Sequence, residues 1–321
     1  MKRILKKLKL VNKLFELFIS ISEFMFKILS VGIGYLSDIK LLRRLFFNLL
    51  PRNKDILLST KYGNYILNTN SRLIAKKTYR NKIPYSALSV VKIFEILDNE
   101  NINFEYFIDI GANIGTTSIS ASFLNKNLNF VCIEGGDESF ELLEKNTKLN
   151  YLEERFSIYK KLIGDSESTR LFVEFEEDQG CSKIFENNSE LNEYVKKFGF
   201  HISSKKEVKT EKLENVLNNI IDKKLFLWID IEGLDLEVIS SSITKYTFPV
   251  HFEFNPAFYQ LINNENQEYF KKVGDYLFNC GYKYFFVEEK NYKKEKLSSD
   301  FLLEIAKYIG KNKSSTNILV I

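Results

Sequence analysis

Cysteine, proline and histidine are scarce in this chain: three, four and two residues among 321. The cysteines, Cys132, Cys181 and Cys280, are too few and too scattered to staple a secreted scaffold, and none has the C-x-x-C spacing of a structural zinc site. Four prolines and 14 glycines exclude collagen-like and proline-rich linker classes. Charge of one sign is missing too, because 46 Lys+Arg face 42 Asp+Glu and leave a net +4, too mild a balance for a nucleic-acid surface. Long unbroken apolar runs are absent. The stretch 14–36 is interrupted by Glu16, Glu23 and Lys27, each costly at a bilayer centre, and no small-residue cleavage site follows it. It reads neither as a membrane span nor as a signal peptide. The expectation is a cytoplasmic protein in a reducing compartment that does not bind nucleic acid.

Apolar and aromatic material is plentiful. Hydrophobic residues make up 45% of the chain, with 28 Phe and 17 Tyr, enough to bury the core of one large domain plus an appendage and to exclude disorder as the dominant state. We place the appendage at residues 1–54. Lys2, Arg3, Lys6, Lys7, Lys9 and Lys13, with no acid among them, interleave with Ile4, Leu5, Leu8 and Leu10 as in a basic amphipathic helix. Two readings stay open: peripheral contact with the inner face of a membrane through residues 2–36, or docking on the domain or on a second subunit.

Residues 55–321 read as an α/β domain. A hairpin is expected between 56 and 73, turning at Lys61-Tyr62-Gly63-Asn64, and a helix over 84–98 with Pro84 at its start. From 105 onward short apolar runs alternate with amphipathic segments, predicting βαβ units on a doubly wound sheet of about seven strands. The first of these strands ends in Asp109-Ile110-Gly111-Ala112-Asn113-Ile114-Gly115. Glycine in a strand-to-helix turn lets backbone approach a ligand closely, and the helix start offers free N–H groups. The turn lacks both the P-loop lysine and the G-x-G-x-x-G pattern, so a nucleoside without pyrophosphate fits it better than a dinucleotide. The next strand ends at Glu134, where an acid accepts ribose hydroxyls. Farther on, Asp230 and Glu232 end an inner strand, Asp235 and Glu237 suit the dipole of the following helix start, and His251, Glu253 and Asn255 alternate so as to share one face.

These motifs, FIDIGANIGTTS, CIE, IGD at 163–165, WIDIEGLDLEVI and HFEFN, together resemble the FkbM-type family of S-adenosylmethionine-dependent methyltransferases over about residues 55–321. The resemblance implies the class I methyltransferase (Rossmann-like) fold, a seven-stranded sheet whose last strand inserts antiparallel, with S-adenosyl-L-methionine as cofactor. It implies that Asp109, Gly111, Ala112, Asn113 and Gly115 wrap the methionine part, that Glu134 holds the ribose and that Asp165 lies near the adenine. It puts Asp230 near the methionine amino group or the acceptor, with Glu232 alongside, and Gln179, Gly180 and Ser182 along the site. The implied reaction is O-methylation of a sugar, glycan or natural-product hydroxyl, as in polysaccharide biosynthesis. Asp230, Glu253 and His251 are the candidates for removing the hydroxyl proton; no metal is required, and binding of a divalent ion by Asp230, Glu232 and Glu253 through oxygen ligands stays open as the lesser alternative. One departure is visible: family members usually have Pro after the ribose acid, whereas Gly135-Gly136-Asp137 follows it here. Two other readings remain, a nucleotide-dependent oxidoreductase with Glu134 on the ribose and a non-catalytic scaffold that keeps the pocket.

Overall fold

The computed structural model describes residues 43, 47–51, 53–71, 73–176, 179–242, 248–256, 266–309 and 315–321. The basic helix expected over residues 2–13 and the apolar stretch 14–36 lie outside the described residues. Pro51–Ile321 form one compact unit. Among the described residues no helix is long and apolar enough to cross a membrane.

A hairpin of β1 (Asp55–Thr60) and β2 (Gly63–Asn68) opens this unit. Its two-residue loop, Lys61-Tyr62, closes on Gly63, whose φ of +115° few other residues tolerate. Helices α1 (Ile74–Asn81) and α2 (Ala87–Asn99) follow. The second begins three residues later than expected, because Pro84-Tyr85-Ser86 form a turn in which the Pro84 carbonyl accepts from the Ala87 N–H at 3.1 Å.

The doubly wound part runs β3 (Tyr106–Ile110), α3 (Thr116–Leu124), β4 (Asn129–Glu134), α4 (Asp137–Leu149) and β5 (Phe156–Lys160). An insertion then builds its own four-stranded sheet from β6 (Leu162–Ile163), β7 (Thr169–Phe175), β8 (Lys183–Phe185) and β9 (Ile202–Glu211), in the order β6-β9-β7-β8. Helix α5 (Asn188–Phe198) lies within the insertion. Its start is capped by the Asn187 side chain, which accepts from the N–H groups of Ser189 and Glu190. The chain returns through α6 (Leu213–Leu217), β10 (Leu225–Ile229), α7 (Asp235–Ser242), β11 (Val250–Phe254), α8 (Asn266–Asn279), β12 (Tyr284–Val287), β13 (Glu295–Lys296), α9 (Phe301–Ile309) and β14 (Thr316–Val320).

The main sheet has the order β13-β12-β14-β11-β10-β3-β4-β5. Strands β5, β4, β3, β10 and β11 are parallel, and β14 inserts antiparallel between β11 and β12. Among the described residues the two-residue edge strand β13 brings the sheet to eight strands instead of seven; setting it aside, this is the class I methyltransferase order.

Alternation along the strands sorts the side chains by face. One face carries Ile108, Ile110, Val131, Ile133, Leu225, Leu227, Ile229, Val250 and Phe252, packed with residues of α7, α8 and α9 in one apolar cluster. The other face is laid out in rows. Phe226, Phe107, Phe130 and Phe156 are in register across four strands, with ring centroids 5.2, 5.6 and 4.5 Å apart in turn. Each buried phenylalanine contributes roughly 2–3 kcal/mol relative to exposure, and Phe94 of α2 covers the row at Phe107. The next row toward the carboxyl edge is His251, Trp228, Asp109 and Cys132. Two residues farther along the same face come Glu253, Asp230, Gly111 and Glu134. The strand period thus brings the polar residues together at the carboxyl edge of the parallel strands, the ligand-binding end of open α/β sheets.

Helix α4 reaches back to the hairpin. Asn146 Oδ1 accepts from the Ile66 N–H at 2.6 Å, Asn150 Oδ1 accepts from the Asn64 N–H at 2.8 Å, and Asn150 Nδ2 donates to the Asn64 carbonyl at 2.7 Å. Asn146 Nδ2 also donates to the Ile114 carbonyl in the glycine turn at 2.9 Å.

Candidate active site

The turn after β3 is tied down on all sides. The N–H groups of Gly111 and Ala112 donate to the Ile133 carbonyl at 2.9 and 3.0 Å, and the Asp230 N–H donates to the Ile110 carbonyl at 2.9 Å. Gly111, Asn113 and Gly115 are left-handed, with φ of +85°, +50° and +86°. A Cβ on Gly111 would come within 1.9 Å of the Asp230 carbonyl oxygen, and one on Gly115 within 2.8 Å of Leu143 Cδ1. These two glycines therefore answer first to close packing of protein on protein, with the turn's openness to a ligand as a by-product.

Asp109 lies beneath the turn at 1% exposure and accepts from Ser118 Oγ, which in turn accepts from Cys132 Sγ at 3.2 Å. Burial pushes its carboxyl up to about 7, against the pull of the Ser118 hydrogen bonds. Its side chain fastens the start of α3 to β3 and does not open on the cleft. Glu134 does border the cleft, half-buried. Its Oε2 accepts from the Asn113 N–H at 2.8 Å and its Oε1 from the Gly136 N–H at 2.7 Å. Burial raises its pKa while these backbone bonds lower it. The Gly135 that stands in place of proline has a packing cause: a Cβ there would lie 2.1 Å from Leu162 Cδ2.

Asp165 is drawn to the insertion. Its Oδ1 accepts from buried Arg170 Nη2 at 2.6 Å, and the same guanidinium meets Glu186 at 2.8 Å and Glu237 at 3.8 Å. Asp235 folds the turn after β10, accepting from the Gly233 N–H at 3.1 Å, and burial pushes it up to about 7.

The acid cluster forms where β10 and β11 end. Asp230, Glu232 and Glu253 each offer a carboxylate oxygen, and the three oxygens lie within 4.8 Å of one another. Desolvation, then Glu253, Asp235, Asp109 and Glu134, hold Asp230 well above the usual carboxylate range. Asp230 is exposed, so the crowding of like charges matters more there than the loss of water. Desolvation, then Glu253, Asp230 and Asp235, raise Glu232 well above its ordinary value, opposed by Lys183. Burial raises Glu253, opposed by a Ser315 hydrogen bond and by Lys183.

His251 is on the predicted face but one row deeper. It is 1% exposed, stacks on Trp228 with centroids 3.7 Å apart, and neither ring nitrogen has a hydrogen-bond partner among the described residues. Burial drives its pKa down to about 3, so the imidazole is neutral and a weak base at neutral pH.

Two residues at this edge escape the sequence reading. Tyr85, in the turn before α2, is half-exposed and is pushed up to about 12 by burial, then by the charges of Asp230, Glu253, Glu232 and Glu288. Lys183, delivered by β8 directly after Gly180 and Ser182, is 3% exposed and donates to the Glu232 main-chain carbonyl.

Residues 109–284 match the family described as "Methyltransferase FkbM domain". No curated protein matches. Among solved structures, the chain is similar to precorrin-6Y C5,15-methyltransferase from Geobacter metallireducens GS-15, at 11% identity over 74% of this chain and 86% of that one, with a TM-score of 0.34. It is also similar to the plantazolicin methyltransferase BpumL, crystallised with a pentazolic desmethylPZN analog and SAH, at 10% identity over 78% and 90% with a TM-score of 0.39. A chain of the fibrillarin/Nop5p complex aligns at 10% identity over 74% and 83%, again with a TM-score of 0.39.

Proposed function

This chain belongs to the FkbM methyltransferase family, with S-adenosylmethionine as methyl donor, and we propose that it methylates a hydroxyl oxygen of a sugar, glycan or natural product. The residues present suit that donor. Glu134 keeps a second lone pair on each oxygen beyond its two backbone N–H bonds, enough for a ribose diol. Asp230, Glu232 and Glu253 outweigh Lys183 in charge, which favours a ligand carrying a positive sulfur and an ammonium group. In this reading Glu134 holds the ribose, the turn 111–115 lies along the methionine part, and Asp165 borders the adenine side through its tie to Arg170. When bound, S-adenosylmethionine supplies a methyl group on positively charged sulfur, open to in-line displacement by the acceptor.

The chain's own part is to align the acceptor and remove its proton. The observation that carries the reading is the convergence of Asp230, Glu232 and Glu253 within 4.8 Å at the carboxyl edge. Carboxyls held above their usual range are stronger bases than free ones, and the Ser315 hydrogen bond orients Glu253. We assign the proton to Glu253 or Asp230 and leave His251 out of the chemistry.

Thermal unfolding with S-adenosylmethionine, S-adenosylhomocysteine and NAD tests the cofactor side. At ligand near 100 times its Kd, the nucleosides should add about 2.7 kcal/mol and raise Tm by several degrees, while NAD does nothing. Transfer of labelled methyl to a carbohydrate and glycan pool should fall about 10²–10⁴-fold in Asp230→Asn and Glu253→Gln. A shift with NAD alone, or full transfer by both variants, refutes the reading.

A further inference from the structure

Three carboxylate oxygens within 4.8 Å repel one another strongly, and oxygen clusters of that spacing are what a divalent cation gathers. Here the insertion sheet brings a positive charge of the chain's own. Strand β8 is three residues long and wholly buried. Lysine is almost never fully buried unless paired, yet Lys183 is 3% exposed. Its ammonium donates to the main-chain carbonyl of Glu232 and sits 5.8 Å from the ring centroid of Tyr194 on α5. The carbonyl it grips belongs to a strained turn, in which Glu232 has φ of +53° and Gly233 of +99°. Burial lowers the pKa of the ammonium, and the charges of Glu232, of Glu190 on α5, and of Asp235 and Glu237 on α7 oppose that fall and favour the protonated form. Lys183 in turn lowers the pKa of both Glu232 and Glu253.

We propose that Lys183 is the resident cation of the acid cluster: it fixes the turn 230–233 and takes the electrostatic place of a divalent ion, so that the carboxyl edge works without metal and rejects it. The inference concerns the same cleft as the proposed reaction, but its test reads cation binding rather than methyl transfer, so the two fail separately. It also gives the insertion a task beyond shaping an acceptor pocket, since the β7–β8 pairing sets where the ammonium lies.

The test is a Mn2+ titration of the full chain, followed by electron paramagnetic resonance, on the wild type, Lys183→Met and Lys183→Gln, each with and without Glu253→Gln. Sites that survive Glu253→Gln lie elsewhere and are subtracted. The wild type should show no remaining site. Either lysine variant, folded by circular dichroism, should gain one that is at least about tenfold tighter than anything in the wild type, because the positive charge held on the Glu232 carbonyl beside the cluster has been removed, and Glu253→Gln should abolish it. Saturable wild-type binding removed by Glu253→Gln overturns the proposal whether or not the variants fold. So does a folded lysine variant that gains nothing.

Discussion

Substituting Gly135 tests why this chain departs from the proline usual at that position. Its φ lies outside the left-handed region, so Gly135→Ala adds no backbone strain and the cost is steric. The new Cβ would lie 2.1 Å from Leu162 Cδ2 and 2.4 Å from its Cγ. Carbon atoms rest about 3.5–4.0 Å apart, so Leu162 must withdraw by about 1.5 Å. It is held at the backbone by the pairing of β6 with Thr210 of β9, which leaves side-chain rotation as the main relief. Overpacking of this kind costs about 1–3 kcal/mol. Leu162→Ala alone should cost about 1–2 kcal/mol, below the range of a fully buried leucine because this one is half-buried. If the leucine is what excludes a Cβ, the double variant is more stable than the sum of the singles by about 1–2 kcal/mol. Urea denaturation of the four proteins measures the cycle, and thermal melts should follow at about 2–4 °C per kcal/mol. Additivity within about 0.3 kcal/mol would show that Leu162 is not the reason for the glycine, and the reasoning from packing would fall.

Asp109 gives a pH test. Its folded pKa of about 7 lies above the unfolded value of 3.8, so the folded state holds an extra proton between the two. Its contribution is fully present below about pH 4 and is lost as pH rises through about 7. Asp109→Asn cannot lose that proton, so its stability relative to wild type should improve from pH 4 to 7 in denaturation curves; parallel curves refute the assignment. His251→Phe removes two unpartnered ring nitrogens while keeping a flat ring against Trp228. It should be as stable as wild type within about 1 kcal/mol and keep methyl transfer within a few-fold. A loss beyond about 10²-fold would return His251 to the chemistry.

The βαβ frame was legible because its strands are short apolar runs set between amphipathic helices, and the hairpin because Gly63 marks its turn. The insertion sheet was not, for a physical reason. Ile202–Glu211, ISSKKEVKTE, is a mostly exposed strand in which polar residues fill both faces, so it carries no apolar period and reads as a charged loop. Lys183 was hidden for the same reason: its place depends on pairing between β7 and β8, not on any local pattern. The glycine turn was located from sequence, but the tight neighbour of Gly111 is the Asp230 carbonyl, more than 100 residues away. His251, Glu253 and Asn255 share a face as their alternation requires, yet depth along the strand decides exposure, and periodicity has nothing to say about depth.

Asn146 of α4 and Asn150 at its C-cap do the work of a neighbouring strand for the hairpin, and simple lengths show how far that can go. Four helical residues, from Asn146 to Asn150, advance about 6.0 Å, and two strand residues, from Ile66 to Asn64, advance about 6.7 Å. The two scales agree to within about 0.7 Å over one step, which hydrogen bonds absorb, and would part by about 1.4 Å over two. A helix can therefore stand in for a strand for two rungs and no more, and β2 is held at two rungs. Such a vernier has one setting. The hairpin cannot creep along α4 without jumping a full helical turn, about 5.4 Å. Because Asn146 also holds the Ile114 carbonyl, whatever moves the hairpin moves the glycine turn with it.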